Sequence, residues 1–222
     1  MFKNRFEAGK ELAQALQHYQ HQDCVVVAVP RGGVVTGYAV AKQLGLPLEV
    51  VLSKKLGHPT QKEFAIGAVN LDEHILDWTQ GVMDSYIEHE IASMRDLLRK
   101  RKEMYYGNRQ PENLEGRIAI IVDDGIATGN TILASIRLIR RNKPLRIVVA
   151  VPVAPAETKL RFDETGWVDE FVCLLSPANF HAVGQFYEIF EEVTDEEIVG
   201  LLQEANQWTN KIEQNKIKTT LL

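Results

Sequence analysis

Cysteine is scarce in this chain: Cys24 and Cys173 are the only two in 222 residues. Each lies in an apolar stretch that reads as a buried strand, which argues against a disulfide-built scaffold and against a cysteine-ligated zinc site. Long apolar runs are missing too, and none reaches membrane-spanning length. The opening residues Phe2-Lys3-Asn4-Arg5-Phe6-Glu7 carry charge where a signal peptide needs its apolar segment. A soluble protein of a reducing compartment, the cytoplasm, is the reading that follows. An excess of positive charge is absent as well: 25 basic against 30 acidic residues give a net charge of −5. Coating a nucleic-acid backbone draws its affinity from Lys and Arg, so that role is disfavoured. The six histidines are scattered, and none reads as a metal ligand. There is no internal repeat, low-complexity tract or linker, and the expectation is one domain over residues 1–222.

What is present is a set of Val- and Ile-rich runs at Cys24 to Val29, Leu48 to Leu52, Ile118 to Val122, Ile147 to Val151 and, more weakly, Phe171 to Leu175. They do not alternate with polar residues, which suits strands covered on both faces of a parallel sheet. Helical patterns fall between them. Val34 to Leu44 is apolar nearly all round and is followed by Gly45 and Pro47; Thr131 to Arg141 is amphipathic and closes on Arg140, Arg141 and Lys143 before Pro144. The insertion between the second and third runs is too long for a structureless loop. It divides into a loop at Leu56 to Lys62, a hairpin or extended ribbon at Phe64 to Leu76, and a helix at Asp84 to Tyr105. The basic run Arg99-Lys100-Arg101-Lys102 on that helix reads as a solvated face, with a phosphate-binding patch as the alternative. Ser176 to Tyr187 is loop-like, Asp195 to Gln207 is helical, and Lys211 to Leu222 is expected to fray.

Two loops carry chemistry. Val29-Pro30-Arg31-Gly32-Gly33 follows the first run and opens a helix. Paired glycines there let backbone N–H groups close on an anion at the helix N-terminus, and Arg31 adds a fork of donors suited to phosphate. A tight strand-to-helix turn is the plainer alternative. The second loop is Asp123-Asp124-Gly125-Ile126-Ala127-Thr128-Gly129-Asn130-Thr131, at the end of the third run. Adjacent carboxylates at the end of a buried strand repel each other and lose water, so something should meet them. Ribose hydroxyls could donate to the pair, and a Mg²⁺ ion would offset its charge. The hydroxyls and backbone N–H groups of Ala127 to Thr131 suit a phosphomonoester. Asp124 as a helix cap, or Thr128 and Thr131 as local turns, would explain single residues but not the doubled acid.

The run Ile120-Ile121-Val122-Asp123-Asp124-Gly125-Ile126-Ala127-Thr128-Gly129-Asn130-Thr131 resembles the phosphoribosyl-pyrophosphate (PRPP) signature of type I phosphoribosyltransferases, and Arg31-Gly32-Gly33 resembles that family's pyrophosphate loop. The resemblance implies an α/β fold with a parallel, Rossmann-like sheet flanked by helices, an inserted ribbon and helix, and a C-terminal hood. The core would span about 20–175 and the hood about 176–207. Asp123 and Asp124 would hold the ribose hydroxyls, with Mg²⁺ held mainly by PRPP and water rather than by the two acids directly. Ala127, Thr128, Gly129, Asn130 and Thr131 would take the 5-phosphate. Arg31, Gly32 and Lys55 would take the pyrophosphate, with Lys54 as the adjacent competitor. Arg31, Lys55, Asp123 and Asp124 are thus the implied catalytic set. Family members often hold the pyrophosphate loop in a strained or cis peptide. Leu56 to Lys62 and the ribbon after it would be the loop that closes over the reaction.

Many 6-oxopurine members carry an aspartate where this chain has Ala127, so the resemblance to simple hypoxanthine, guanine or xanthine salvage weakens there. The hood supplies the base pocket, with Phe180, Phe186 and Tyr187 as stacking candidates or as ordinary core. The pattern from Ser176 to Tyr187 is similar to a bacterial group of phosphoribosyltransferases whose substrate is not settled. The implied activity is Mg²⁺-dependent transfer from PRPP to a nitrogenous base or amine, of the nucleotide-salvage type. The alternative is a regulatory module that binds PRPP or a nucleotide and transfers nothing. Relatives are commonly dimers, so a homodimer is implied, with no membrane and no nucleic-acid partner.

Overall fold

A computed structural model describes residues 1–62, 64–107 and 109–220, with side chains through Thr209. The chain order is α1 (Arg5–Ala15), β1 (Cys24–Ala28), α2 (Gly32–Leu44), β2 (Leu48–Val50), β3 (Ser53–Gly57), β4 (Ala65–Asn70), β5 (His74–Leu76), α3 (Asp84–Tyr106), β6 (Ile118–Val122), α4 (Asn130–Arg141), β7 (Arg146–Val153), α5 (Glu157–Thr165), β8 (Glu170–Leu175) and α6 (Asp195–Thr220).

The five apolar runs form one parallel sheet in the order β2-β1-β6-β7-β8. Successive residues on each strand enter opposite cores. Val26, Ala28, Ile120 and Val122 pack with α1, α2 and α6 on one side. Val25, Val27, Ala119 and Ile121 pack with α4 and α5 on the other. Burial on both faces is why these strands are almost wholly apolar, Glu49 of β2 being a buried exception.

The insertion departs from expectation at its first part. Leu56 and Gly57 belong to a strand, and β3, β4 and β5 make a three-stranded antiparallel sheet, with His58 donating its backbone N–H to the Phe64 carbonyl beyond the end of β3. Leu56, Ile66 and Val69 are buried beneath Ile87 and Ile91 of α3, while the other face of this ribbon stays partly open. That half-exposure allows Ser53-Lys54-Lys55 to be a strand without an apolar signature. The helix expected at Asp84 to Tyr105 is α3, one residue longer.

Helices α1 and α5 were not among the expected elements. The Asn4 side chain accepts from the Glu7 backbone N–H at 2.9 Å, capping α1. Gly9 of α1 lies against α2, where a Cβ would stand 2.5 Å from the Thr36 carbonyl oxygen and 2.7 Å from the Ala39 Cβ. The missing side chain lets the two helices cross closely, which brings the first turn of α1 over the end of the sheet. At the other end, helical backbone continues through Thr220 where fraying was expected from Lys211 onward; residues 221 and 222 of that segment lie outside the described residues. No helix among the described residues is long and apolar enough to cross a membrane.

Candidate functional site

Strands β1 and β6 are neighbours with Ala28 opposite Val122, so the loops that follow them leave the same edge of the sheet side by side. The crevice outside the carboxyl ends of parallel strands, where the winding changes direction, is where open α/β sheets bind ligands. The two loops touch. A Cβ on Gly33 would lie 2.8 Å from the Asp123 Cα and 3.0 Å from the Val122 carbonyl oxygen; one on Gly32 would lie 2.0 Å from Asp124 Oδ2. The paired glycines therefore let the first loop seat itself directly on the doubled acid. The Pro30–Arg31 peptide bond is cis.

Asp123 is partly buried, and its Oδ1 accepts the Asp124 backbone N–H at 2.8 Å. Loss of water, then the neighbouring Asp124 charge, push the Asp123 carboxyl well above the usual carboxylate range. Asp124 has a partner that sequence reading did not supply. Arg5 Nε of α1 donates to Asp124 Oδ2 at 2.7 Å, with the two side chains 11% and 15% exposed. Arg5 also donates to the Glu191 carbonyl at 2.6 Å and stacks 3.7 Å above the Phe190 ring centroid. One acid is thus met from inside the protein, while the other carries the electrostatic burden. The capping signature Asn4-x-x-Glu7 marked the helix that delivers Arg5.

The second loop runs over the edge of the sheet into α4. Ala127, Thr128 and Thr131 are exposed, Asn130 is half-buried, and Gly129 is buried with φ 73°. Phe162 of α5 lies beneath Gly129 and meets Phe171 edge-on at 5.2 Å. Arg161, one residue earlier, donates to the Thr128 carbonyl and to the Asn130 side chain. Helix α5 thus braces the loop from below and from outside. The signal for α5 was a short helical pattern between Pro155 and Gly166.

Around the first loop, Arg31 pairs with Glu192. Lys54 and Lys55 are consecutive on β3 and so lie on opposite faces of the ribbon. Lys54 lies within electrostatic range of Arg31: burial first, then the charges of Arg101 and Arg31, lower its pKa. Lys55, the lysine expected at the leaving group, lies on the other face.

The segment after β8 forms a cap. Val183 packs where Gly125 has no side chain, and Phe180 and Phe186 stack at 5.5 Å in a partly buried cluster. Tyr187, expected as a stacking surface, is buried between Phe2 at 5.4 Å and Phe190 at 5.1 Å, and its hydroxyl donates to the Asp124 carbonyl at 2.5 Å. Its ring faces are used in packing, and it ties the cap to the acid pair. Of the cysteines, Cys24 is buried and its thiol is pushed up to about 11, first by desolvation, which suppresses the nucleophilic thiolate.

A divalent cation fits the doubled acid only in a particular way. Among the described residues, no three His, Cys, Asp or Glu side chains gather as a metal cluster. A hard ion such as Mg²⁺ keeps several waters and binds through one or two carboxylates together with substrate phosphates. A crowded pair of acids beside the glycine loop is compatible with that donor set.

Comparison with known proteins agrees with this geometry. The family model described as phosphoribosyl transferase domain matches residues 3–186. The chain is 38% identical over 216 residues to the Mycobacterium tuberculosis protein named "Putative phosphoribosyl transferase Rv0571c", a match covering 93% of this chain and 47% of that protein. The chain therefore spans about half the length of the curated relatives it matches. A shorter match, 41% identical over 51 residues, covers 22% of this chain and 25% of the uracil phosphoribosyltransferase of Mycoplasma genitalium. Among solved structures, the protein TT1426 from Thermus thermophilus is 42% identical with a TM-score of 0.83, over 92% of this chain and 98% of that one. With a family model matched over most of its length and a relative 38% identical over 93% of it, the chain belongs to the phosphoribosyl transferase domain family.

Proposed function

We infer that this protein transfers a phosphoribosyl group from PRPP to a nitrogenous base or amine. The observation that carries the reading is the direct packing of Gly32 and Gly33 on Asp124 and Asp123. It sets paired glycines suited to an anion directly against a pair of acids suited to sugar hydroxyls, which supports a sugar 1-diphosphate as the ligand. Asp123 and Asp124 would hold the ribose hydroxyls, the backbone N–H groups and hydroxyls from Ala127 to Thr131 would hold the 5-phosphate, and Arg31 with Gly32 would hold the pyrophosphate.

In the reaction, the bond from ribose C1 to the pyrophosphate oxygen breaks, the acceptor nitrogen bonds to C1 and releases its proton to water, and pyrophosphate leaves with the bonding electron pair. Positive charge develops on the sugar and negative charge on the leaving group, so cations fixed near the pyrophosphate lower the barrier. When bound, Mg²⁺ would neutralise pyrophosphate charge, held by PRPP oxygens and water beside Asp123 and Asp124. Arg5 keeps Asp124 in one orientation, and the cap from Val183 to Phe190 covers the acids on one side and limits water.

Two measurements test the reading. Calorimetric titration with PRPP and Mg²⁺ should show binding that is lost in the variant carrying Asp123→Asn and Asp124→Asn. Pyrophosphate release should follow when a panel of purines, pyrimidines and simple amines is added. Binding without release for any acceptor would instead identify a sensing module, and no PRPP binding at all would overturn the assignment.

A further inference from the structure

Of the basic run on α3, three members are exposed: Arg99, which pairs with Asp96, Lys100 and Lys102. Arg101 is different. It follows Leu98 by three residues and precedes Tyr105 by four, both of them buried, so it shares the inward face of the helix. The end of α3 is pinned beside the sheet, since Tyr106 donates to Glu49 and Tyr105 to Asp195, at the start of α6. The last turns of α3 thus stand next to β2, whose carboxyl end adjoins that of β1 at Val50 and Ala28.

Lys54 shares the ribbon face of Leu56 and Val69, the face turned to α3, and both Arg31, which follows β1, and Arg101 of α3 stand within electrostatic range of it. Lys54 and Arg101 have no hydrogen bond or ion pair among the described residues, and Arg31 has only the largely exposed Glu192. Burial and the two arginines together depress the Lys54 pKa, so the cluster is self-repelling. Lys54 and Arg101, half-buried like charges with the exposed Arg31 beside them, would be relieved by an anion with several oxygens.

We propose that Arg101, delivered by the inserted helix α3, joins Lys54 and Arg31 to form the seat of a diphosphate group. The proposal rests on the phosphoribosyl reading above and extends it by assigning leaving-group recognition to α3. The distal charges of the run keep the helix surface solvated, while Arg101 contacts the diphosphate oxygens.

Calorimetric titration of the full chain with pyrophosphate and, separately, with ribose 5-phosphate, both in magnesium buffer, tests it. Arg101→Gln should weaken pyrophosphate binding roughly 10- to 100-fold, the loss typical of a charge-assisted contact, and leave ribose 5-phosphate affinity unchanged. Arg101→Lys should recover part of the loss, because a point charge replaces a planar fork. Lys100→Gln, one residue away on the solvated face, should change neither affinity. Wild-type pyrophosphate affinity in Arg101→Gln, with ribose 5-phosphate still bound, overturns this proposal and leaves the phosphoribosyl reading standing. A parallel loss of both ligands overturns it too, since that would mark Arg101 as structural. Failure of the unmodified protein to bind either ligand would overturn the functional reading itself.

Discussion

Placing a methyl group on Gly33 tests whether contact between the two loops builds the site. The added carbon would sit 2.8 Å from both the Asp123 Cα and Oδ1 and 3.0 Å from the Val122 carbonyl oxygen. Comfortable carbon contacts begin near 3.5 Å, so something must move by about half an ångström or more. The opposing atoms are largely backbone at the end of β6, a strand bonded on one side to β1 and on the other to β7, and they have little freedom. Overpacking of this kind costs about 1–3 kcal/mol. For a chain of this length that corresponds to a fall in Tm of about 2–12 °C. Moving Asp123 away from the ribose position should also reduce ribose 5-phosphate affinity at least about tenfold. Differential scanning calorimetry and titration of Gly33→Ala read both effects. Gly200→Ala is the control: its Cβ would meet nothing within 4 Å on α6, and better helix propensity should raise Tm slightly. A Gly33→Ala protein that melts and binds like the wild type would refute the claim that the loops are seated on one another.

Asp123→Asn should raise stability near neutral pH while abolishing ribose 5-phosphate binding. Because the folded-state pKa of Asp123 is raised, stability is lost as pH climbs from the ordinary carboxylate range through the raised value, and Asp123→Asn should flatten that part of a pH-dependent melting profile. Arg5→Ala should act in the opposite direction, costing about 1–3 kcal/mol by leaving Asp124 without its cation, as read by urea unfolding. Its double-mutant cycle with Asp124→Asn should show clear coupling. Phe162→Ala, at a fully buried position beneath Gly129, should cost about 3–5 kcal/mol and lower ribose 5-phosphate affinity by loosening the loop, measurable by calorimetry and titration.

The parallel sheet was legible because burial on both faces leaves a local trace: Ile118 to Val122 has no polar position, and the observed strand has those same bounds. The acid pair and the glycine loop stood out in sequence as crowded carboxylates and paired glycines at strand ends; the structure packs them on one another and adds Arg5 as an internal partner of Asp124. Strand β3 left no such trace, because only Leu56 and Gly57 of its five residues are buried and its lysines lie on a half-open ribbon. Arg5 was hidden more deeply. Its position follows from the close crossing at Gly9, and its partner lies 119 residues away, so no local pattern could join them. Tyr187 was noticed for its ring, yet its hydroxyl makes the decisive contact, on a backbone atom 63 positions distant. Arg101 was one of four similar basic residues until the packing of Leu98 and Tyr105 separated it from its neighbours.

The bond from Arg5 to the Glu191 carbonyl spans 186 positions, among the longest reaches in the molecule. A contact so far apart in sequence closes a long loop and so carries a loop-closure entropy that local contacts do not. The acid corner is consequently a keystone: early and late segments of the chain lock there against a central strand. Loosening either segment opens the corner without dismantling the sheet, so affinity can be altered from remote parts of the chain while the scaffold persists.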